Sequence, residues 1–461
     1  MNNQEQQVIA YLRTPATIRQ QCDRLFTLAC HNQLHHFSCD LSKLEKVANY
    51  VIEVISDQYP DLNVPFHSRW RHFEVGGVPR LEELEQKLAA LTPIEKAQTK
   101  FDLAIVSVLL DAGAGADWQY LETETGLTFC RSEGLAVASF RMFCQGLFSS
   151  NPDCPLQADA KGLQRLTLHR LAKGFQISPA NRLLGLEGRQ SLLKRLGQSL
   201  QNLPHLFGET NPRPGNLVNY LLDCSNPTQQ ITEKANRPMP NFVPPTFPLN
   251  SRKFSDEGVA GWGMLSRGSL QGACQTKNQL AASTIFGAIL EGLADIWPGR
   301  LTIANVNLGD VWLHSALAGD DPSQEYVPFH KLSQWLTYSL LEPLQEMGLE
   351  ITELDQLTGL PEYRNGGLCL DLDLLRVKDE AILQKHHSPE SEVIVEWRAL
   401  TVSLLDRIAI AIREQLNLNT NQLPLVKVLQ GGTWTAGRKI AAQLREGGVP
   451  PISIKSDGTV F

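Results

Sequence analysis

The 461-residue chain lacks the features that mark several large classes of protein. Its formal net charge is −7, with 42 Lys and Arg against 49 Asp and Glu, and it has no dense basic stripe. A protein that binds a nucleic-acid backbone normally carries a basic surplus. The start of the sequence lacks the basic and apolar blocks of a signal peptide, and no apolar run approaches the length of a membrane span. We therefore expect a cytoplasmic protein that binds neither nucleic acid nor membranes.

Cysteine and histidine do not form a pattern typical of disulfide or metal frameworks. The nine cysteines are scattered and odd in number, which suits a reducing compartment. His31 and His35 have the spacing of one helix face. Neither a His-Glu-x-x-His pattern nor a Cys-x-x-Cys pair accompanies them. We predict no metal and no cofactor.

Helical spacing of apolar residues is present along most of the chain. Hydrophobic residues make up 42% and charged residues 20%, a balance typical of folded globular proteins. Strand patterns are scarce, and the clearest, at 452–461, predicts a hairpin that turns at Asp457-Gly458. These patterns predict a mainly α, multi-helical fold with a small C-terminal β-hairpin. The helical windows are 44–55, 81–91, 101–110, 135–148, 190–200, 329–344 and 394–412.

One stretch indicates how the chain is organised. Prolines cluster between Asn226 and Pro248, and a Gly/Ser-rich passage follows at 258–272. This pattern divides the chain into an N-terminal helical lobe (1–224), an insertion or linker (225–280) and a C-terminal helical lobe (281–461). One continuous domain with an insertion draped over it fits the pattern equally well.

The stretch Leu-Pro-Glu-Tyr-Arg-Asn-Gly-Gly at 360–367 is a candidate for chemistry. Pro361 fixes its own φ, and the two glycines permit a tight turn, so Glu362 lies on a short constrained segment. Two interpretations fit. Glu362 is either an exposed loop residue that pairs weakly with Arg364, or a carboxylate placed for catalysis.

A second cluster, at 64–73, brings two histidines, two arginines and three aromatics together. Among them, His67, Arg69 and Trp70 offer a hydrogen-bonding ring, a planar fork for anions or urea-like groups, and a stacking face. The cluster is either a site for an anion or polar ligand, or a polar network that pins an irregular segment to the body.

Two further strings supply candidates. The run from Asp111 to Trp118 contains Gly-x-Gly without a third glycine, and a helical pattern precedes it, so a dinucleotide site is not expected. Its small residues allow close packing of helices or close approach of a ligand. Glu396 and Arg398 lie two apart on a predicted helix and point roughly 200° away from each other, so only one of them can face a given ligand. A buried acid-base brace is the alternative role for this pair.

Signatures of nucleophilic hydrolases and P-loop proteins are missing from the sequence. No Gly-x-Ser-x-Gly occurs, and no Cys/His arrangement has a recognisable spacing.

Several long strings resemble one family. Through these strings the sequence resembles the uracil-catabolism proteins of fungi and bacteria, the fourth component of a pathway that degrades uracil through ribosylurea. The resemblance spans nearly the whole chain, from about residue 15 to Phe461. The strings are 67–74, 111–118, 129–134, 306–312, 328–336 and 431–438.

A more distant similarity connects the chain to queuosine-nucleotide N-glycosylases, helical enzymes related in fold to helix-hairpin-helix DNA glycosylases. Their Asp-Tyr-Arg segment resembles Glu362-Tyr363-Arg364, and their Glu-x-Arg helix resembles Glu396-Trp397-Arg398. The resemblance implies that Glu362 is the catalytic carboxylate. This chain departs from the pattern in having Glu for Asp and Asn365-Gly366-Gly367 for a Val/Leu-Pro pair. We therefore expect a different substrate or water position.

Together these observations predict hydrolysis of an N-ribosidic bond in ribosylurea or a related ribosylated pyrimidine-breakdown product. An amidohydrolase acting on a ureide or pyrimidine ring, and a non-catalytic binding or assembly partner, are the alternatives. The expected partner is a small ribosylated molecule, and the oligomeric state is open. Glu362 is the predicted catalytic residue, and the predicted substrate-binding residues are Tyr363, Arg364, Asn365, His67, Arg69, Trp70, Asp111, Trp118, His330, Lys331, Glu396 and Arg398.

Overall fold

The computed structural model describes residues 2–111, 113–115, 117–225, 278–298, 300–319 and 322–455. Within these ranges the chain is mainly α-helical, as predicted. Most of the proposed insertion or linker lies outside the described residues. No helix in the described ranges combines the length and the apolar character that a bilayer crossing requires.

Helices occur on both sides of the undescribed stretch. The helices before it are α1 (Asn3–Leu12), α2 (Pro15–Cys30), α3 (Leu44–Gln58), α4 (Arg69–Phe73), α5 (Arg80–Lys87), α6 (Pro93–Leu109), α7 (Arg131–Cys144), α8 (Ala160–Gln164), α9 (Leu168–Gly174), α10 (Leu186–Asn202), α11 (Pro204–Phe207) and α12 (Leu217–Ser225). Those after it are α13 (Ala282–Gly292), α14 (Lys331–Glu346), α15 (Tyr363–Asp371), α16 (Ala381–Gln384), α17 (Glu392–Leu416), α18 (Leu425–Val428) and α19 (Trp434–Leu444). A π-helical turn, Leu429–Thr433, joins α18 to α19.

The helical windows predicted from apolar spacing are confirmed in α3, α5, α6, α7, α10, α14 and α17, although α5 ends at Lys87 and α7 at Cys144, each before the end of its window. Local signals explain where some of them begin. The Thr92 hydroxyl accepts the Glu95 backbone N–H, the Glu95 carboxylate accepts the Thr92 N–H, and Pro93 occupies the first turn of α6. This reciprocal capping satisfies backbone groups that a helix start leaves without partners.

Strands are short and form two-stranded pairs in the described part of the chain. Ser453–Ile454, the described part of the predicted C-terminal hairpin, pairs in parallel with His386–His387. The predicted turn at Asp457-Gly458 lies outside the described residues. The strands are β1 (Phe37–Cys39), β2 (Gln119–Glu122), β3 (Leu127–Cys130), β4 (Gln279–Ala281), β5 (Thr302–Ile303), β6 (Val306–Asn307), β7 (Val311–Leu313), β8 (Tyr326–Pro328), β9 (Glu350–Thr352), β10 (Leu375–Val377), β11 (His386–His387) and β12 (Ser453–Ile454). The pairs are β1 with β10, β2 with β3, β4 with β9, β5 with β6, β7 with β8, and β11 with β12.

One large hydrophobic cluster contains side chains from both proposed lobes, from Ile18 to Ile452. Helix α17 packs against α2 and α3 of the first half and against α15 of the second. Helix α14 packs against α6 and α4, and α19 lies on α15. The close approach of α19 requires Gly437, because a Cβ there would collide with the carbonyl oxygen of Arg364. The start of α15 is therefore held between α17 and α19.

The tight turn predicted at Gly366-Gly367 does not form. Both glycines lie inside α15, where a Cβ at Gly366 would come within 2.8 Å of the Trp397 ring on α17. Helix packing, rather than chain reversal, accounts for Gly366.

Candidate active site

A cavity of about 300 Å³ lies where α14, α15 and α19 meet segments from the first half of the chain. We call it the Glu362 cavity. Its size is at the lower end of ligand sites, which suits a small molecule. The lining residues are His67, His72, Asp111, Gly113, Ala114, Gly115, Arg131, Ser132, Leu135, Lys331, Trp335, Leu360, Glu362, Tyr363, Arg364, Trp434, Val449 and Pro450.

Glu362 is fixed at the start of α15. Its backbone is extended, and its Oε2 and Oε1 atoms accept the backbone N–H groups of Arg364 and Asn365 at 2.8 and 2.6 Å. The Asn365 Nδ2 atom donates to the Leu360 carbonyl at 3.0 Å and so holds the preceding segment. Only 8% of Glu362 is exposed. Glu362 is therefore not an exposed loop residue, and its carboxylate is held in one orientation.

The electrostatic surroundings of Glu362 act in opposite directions. Burial raises the pKa of its carboxyl group, while the two backbone donors and the nearby Lys331 ammonium lower that pKa. Burial is the larger effect, and the net pKa is above the ordinary value. A carboxylate with a raised pKa is a better proton acceptor near neutral pH.

Lys331 lines the same cavity as the first residue of α14. Its ammonium group has no hydrogen bond or ion pair with any residue that the structure describes. Burial lowers the pKa of Lys331, against the opposing effect of the Glu362 and Asp111 carboxylates. An amine in these surroundings is both a hydrogen-bond donor and a proton donor for a ligand.

Asp111 is held by two side chains behind it. The Ser132 hydroxyl donates to its Oδ2 atom at 2.5 Å, and Arg69 Nη1 lies 3.1 Å from the same atom. Arg69 is fully buried and also donates from Nε to the Ser107 hydroxyl at 2.7 Å. Asp111 therefore presents its carboxylate at the cavity, while Arg69 supports it from outside.

The backbone of Gly113, Ala114 and Gly115 lines the cavity beside Asp111. Because these residues have little or no side chain, a ligand can come close to the main chain here. The small residues in the string from Asp111 to Trp118 thus contribute a wall of the cavity.

Two tryptophans and two histidines form another wall. The His72 ring lies 5.7 Å from the rings of both Trp335 and Trp434, and the His67 ring lies 5.9 Å from that of Trp434. Aromatic faces of this kind suit a planar or apolar part of a ligand and keep water away from it.

The two histidines are neutral at neutral pH. Burial lowers the pKa of His67 to about 4, and its Nδ1 atom donates to Gln430 Oε1 at 2.9 Å, which leaves Nε2 as an acceptor. Burial and the nearby Arg69 hold the pKa of His72 well below its ordinary value. Since Arg69 can only donate to His72 Nδ1, the proton of the His72 ring is on Nε2. The pair thus offers one hydrogen-bond acceptor and one donor.

Seven of the predicted site residues do not line this cavity. Asn365 and Arg69 support Glu362 and Asp111 as described above.

Three other predicted residues bind backbone carbonyls away from the cavity. Trp70 and Trp118 donate from their indoles to the carbonyls of Ser339 and Phe175, at 2.7 and 2.9 Å. His330 Nε2 binds the Leu12 carbonyl at 3.0 Å. Each of these three side chains therefore joins two separate segments of the chain through one ring nitrogen.

Glu396 and Arg398 also lie outside the cavity, and they face different partners, as their spacing predicts. Glu396 is fully buried, and its Oε1 atom accepts the backbone N–H groups of Phe37 and His36 at 2.8 and 3.2 Å. Arg398 binds the Asp310 carboxylate through both Nη atoms, at 2.8 and 2.7 Å. Both side chains of this motif are buried braces between distant segments.

Sequence reasoning missed several lining residues, chiefly His72, Ser132, Trp335, Trp434 and Arg131. All of them stand in strings that carry the family resemblance. Their presence in these strings was the feature of the sequence from which they could have been predicted. His72 also belongs to the candidate cluster at 64–73, whereas nothing else in the local sequence distinguishes the other four from core or surface residues.

The fold and the cavity together define a mainly helical protein with a small cavity lined by charged, aromatic and small residues. The family described as "Protein of unknown function (DUF1688)" matches residues 11–239 and 261–461. Protein urg3 of Schizosaccharomyces pombe is 38% identical over 462 residues, which cover 99% of this chain and 99% of that protein. Uracil catabolism protein 4 of Lachancea kluyveri is 35% identical over 483 residues, which cover 98% and 99%. The chain belongs to this family, as its sequence motifs predicted.

Proposed function

We propose that this protein takes part in uracil catabolism in the cytoplasm and hydrolyses an N-ribosidic bond. The substrate is ribosylurea or a related ribosylated pyrimidine-breakdown product. The observation that carries the proposal is a buried carboxylate, Glu362, oriented by two backbone N–H groups at the wall of a small cavity. The name of the Lachancea kluyveri relative, a uracil catabolism protein, supports the pathway.

Glu362 would act on the sugar. As the bond between the anomeric carbon and nitrogen breaks, positive charge develops on the ribose ring, and a carboxylate in a low-dielectric cavity stabilises it. Water supplies the new oxygen on the anomeric carbon. Glu362 accepts a proton from that water, a role that its raised pKa favours.

The nitrogen that leaves must receive the electron pair of the broken bond together with a proton. Lys331 is the best placed donor, because its pKa is lowered and its ammonium group has no partner among the described residues. His67 cannot supply this proton near neutral pH, since its pKa is about 4. The His72 Nε2–H group can donate a hydrogen bond to the urea carbonyl.

The test is to incubate the purified protein with ribosylurea and to measure urea and ribose. We expect equimolar release by the wild type and a loss of rate of roughly 10²- to 10⁴-fold in Glu362→Gln. Glu53→Gln, an exposed glutamate on α3, is the matched control and keeps the wild-type rate.

The outcome also separates the alternatives. Release of ammonia from the ureide without free ribose would identify an amidohydrolase. Tight binding of ribosylurea without turnover would identify a binding protein. A Glu362→Gln variant with the full rate of hydrolysis would refute the role of this carboxylate.

A further inference from the structure

A second cavity, of about 400 Å³, adjoins the Glu362 cavity. Arg131 and Arg364 line both cavities. Arg438 and Arg445 line the second cavity as well, together with one acidic residue, the exposed Glu446. Because four arginines outnumber this one carboxylate, we call the cavity the arginine pocket. A concentration of guanidinium groups beside a small-molecule cavity is typical of a site for an anionic group.

Two of the four arginines are neutralised by carboxylates. Arg445 donates from both Nη atoms to Asp371, at 2.7 and 2.6 Å. Arg438 donates to Glu133 at 2.7 Å. The charge available to a ligand therefore comes mainly from Arg131 and Arg364.

Arg131 and Arg364 have no carboxylate within ion-pair distance among the residues that the structure describes. Each donates to a backbone carbonyl of one turn: Arg131 to Gly447 at 2.9 Å and Arg364 to Gly448 at 2.7 Å. This turn requires glycine, because Gly447 and Gly448 have positive φ angles of +67° and +57°. Since a guanidinium has five N–H donors, both arginines keep donors for a ligand at the junction of the two cavities.

The start of α7 adds to this attraction for anions. The 14-residue helix begins at Arg131, and no side chain caps its first backbone N–H groups. Ser132, in the same turn, lines the Glu362 cavity. A helix N-terminus and two guanidinium groups thus act on the same region, and each favours negative charge, although Glu133 in the first turn of α7 offsets part of the helix contribution.

The two cavities share Arg131 and Arg364, so one small molecule can extend from one cavity into the other. Glu362 and Arg364 are two residues apart at the start of α15, a separation of roughly 5–6 Å between Cα atoms. Because Arg364 lines both cavities while Glu362 lines one of them, a molecule the size of a pentose phosphate can contact both side chains. We propose that the substrate carries a phosphate on its ribose and that the arginine pocket binds this phosphate while Glu362 faces the anomeric carbon. The inference rests on the proposed function for the identity of the sugar. A phosphate fits better than a carboxylate because it bears close to two charges and three acceptor oxygens.

Binding measurements test the pocket without any turnover. Isothermal titration calorimetry of the full chain would compare ribose 5-phosphate, ribose and inorganic phosphate. We expect ribose 5-phosphate to bind at least tenfold more tightly than ribose, and more weakly as salt is added. Arg131→Gln should weaken the binding of ribose 5-phosphate roughly 10- to 100-fold, and Arg131→Lys should recover part of it.

Lys439→Gln is the matched control. Lys439 follows Arg438 on α19 but does not line the arginine pocket, and its removal lowers the net charge by the same amount. Equal affinity for ribose and ribose 5-phosphate in the wild type would overturn the proposal. So would equal losses of affinity in Arg131→Gln and Lys439→Gln, because they would indicate a general charge effect.

Hydrolysis assays separate this inference from the proposed function. The phosphorylated form of ribosylurea should have a KM at least tenfold below that of ribosylurea, and Arg131→Gln should remove most of the difference. Hydrolysis of ribosylurea without such a preference would overturn the phosphate pocket alone. Binding of ribose 5-phosphate through Arg131 without hydrolysis of either compound would support the pocket and refute the glycosidase.

Discussion

Arg398 donates from both of its Nη atoms to the carboxylate of Asp310, at 2.8 and 2.7 Å. The Asp310 Oδ2 atom also accepts the backbone N–H of Lys331 at 3.0 Å. His330, the residue directly before Lys331, has a left-handed backbone with φ of +45°. Arg398 therefore acts on the candidate site indirectly, because it holds the carboxylate that fixes the start of α14 and hence Lys331.

The Asp310–Arg398 pair should contribute strongly to folding. Burial alone would raise the pKa of Asp310, but Arg398 and the Trp312 and Lys331 donors bring that pKa well below its ordinary value. Asp310→Asn or Arg398→Met leaves one charged partner buried, and we expect each to lower the free energy of unfolding by roughly 3–5 kcal/mol. Urea unfolding measures this loss.

The control for this pair is the surface pair of Asp40 and Arg376, whose arginine side chain is 53% exposed. Arg376→Gln should cost far less than either buried substitution, because water screens an exposed pair. The double variant at 310 and 398 should be less destabilised than the sum of the single variants. Simple additivity would show that the two side chains are not coupled.

Lys331→Gln should reduce activity without reducing stability. If Lys331 donates a proton to the leaving nitrogen, kcat for ribosylurea should fall roughly 10²-fold or more. Because its ammonium group is half-buried without a partner among the described residues, the unfolding free energy should stay the same or rise. Lys46→Gln, on the exposed side of α3, serves as the control. A large loss of stability in Lys331→Gln would instead assign Lys331 a structural role.

The pH dependence of kcat/KM should reflect the two shifted groups in the cavity. The proposed mechanism requires ionised Glu362, and its raised pKa puts the acidic midpoint above about 4.3, the ordinary glutamate value. The proposed mechanism also requires protonated Lys331, and its lowered pKa puts the alkaline midpoint below about 10.4. The residual activity of Glu362→Gln should lack the acidic limb. An acidic midpoint at or below 4.3 would contradict the assignment.

The free energy of unfolding should decrease as the pH is lowered from about 6.5 to about 4. In this range His67 is neutral in the folded protein but protonated in the unfolded chain. In the unfolded chain His67 titrates near its ordinary pKa of about 6.5, whereas in the folded protein its pKa is about 4. Between these values the unfolded state binds more protons, so the free energy of unfolding decreases as the pH falls. Thermal melts from pH 7 to pH 4 measure the trend.

His67→Gln should make this decrease shallower, and the exposed His169→Gln should leave it unchanged. Equal slopes in the wild type and His67→Gln would show that His67 is accessible to protons in the folded state.

The position of Glu362 illustrates how far local sequence can lead. A proline followed by a carboxylate and a Tyr-Arg pair predicted a constrained segment, and Glu362 is indeed fixed there, at the start of α15. The roles of the neighbouring glycines were not predictable, because Gly366 is required by the approach of Trp397 from α17. Spacing likewise predicted that Glu396 and Arg398 face different partners, but not that those partners are the Phe37 backbone and Asp310.

The sequence by itself determined the helical class, the approximate positions of several long helices and the family, since apolar spacing and long motifs are local properties of the chain. Only the tertiary structure decided which polar residues share a cavity. His67, Asp111, Lys331, Glu362 and Trp434 are brought together by the packing of α14, α15 and α19 against the first half of the chain. Contacts of this kind depend on which helix faces meet, and one sequence read along its length does not specify them.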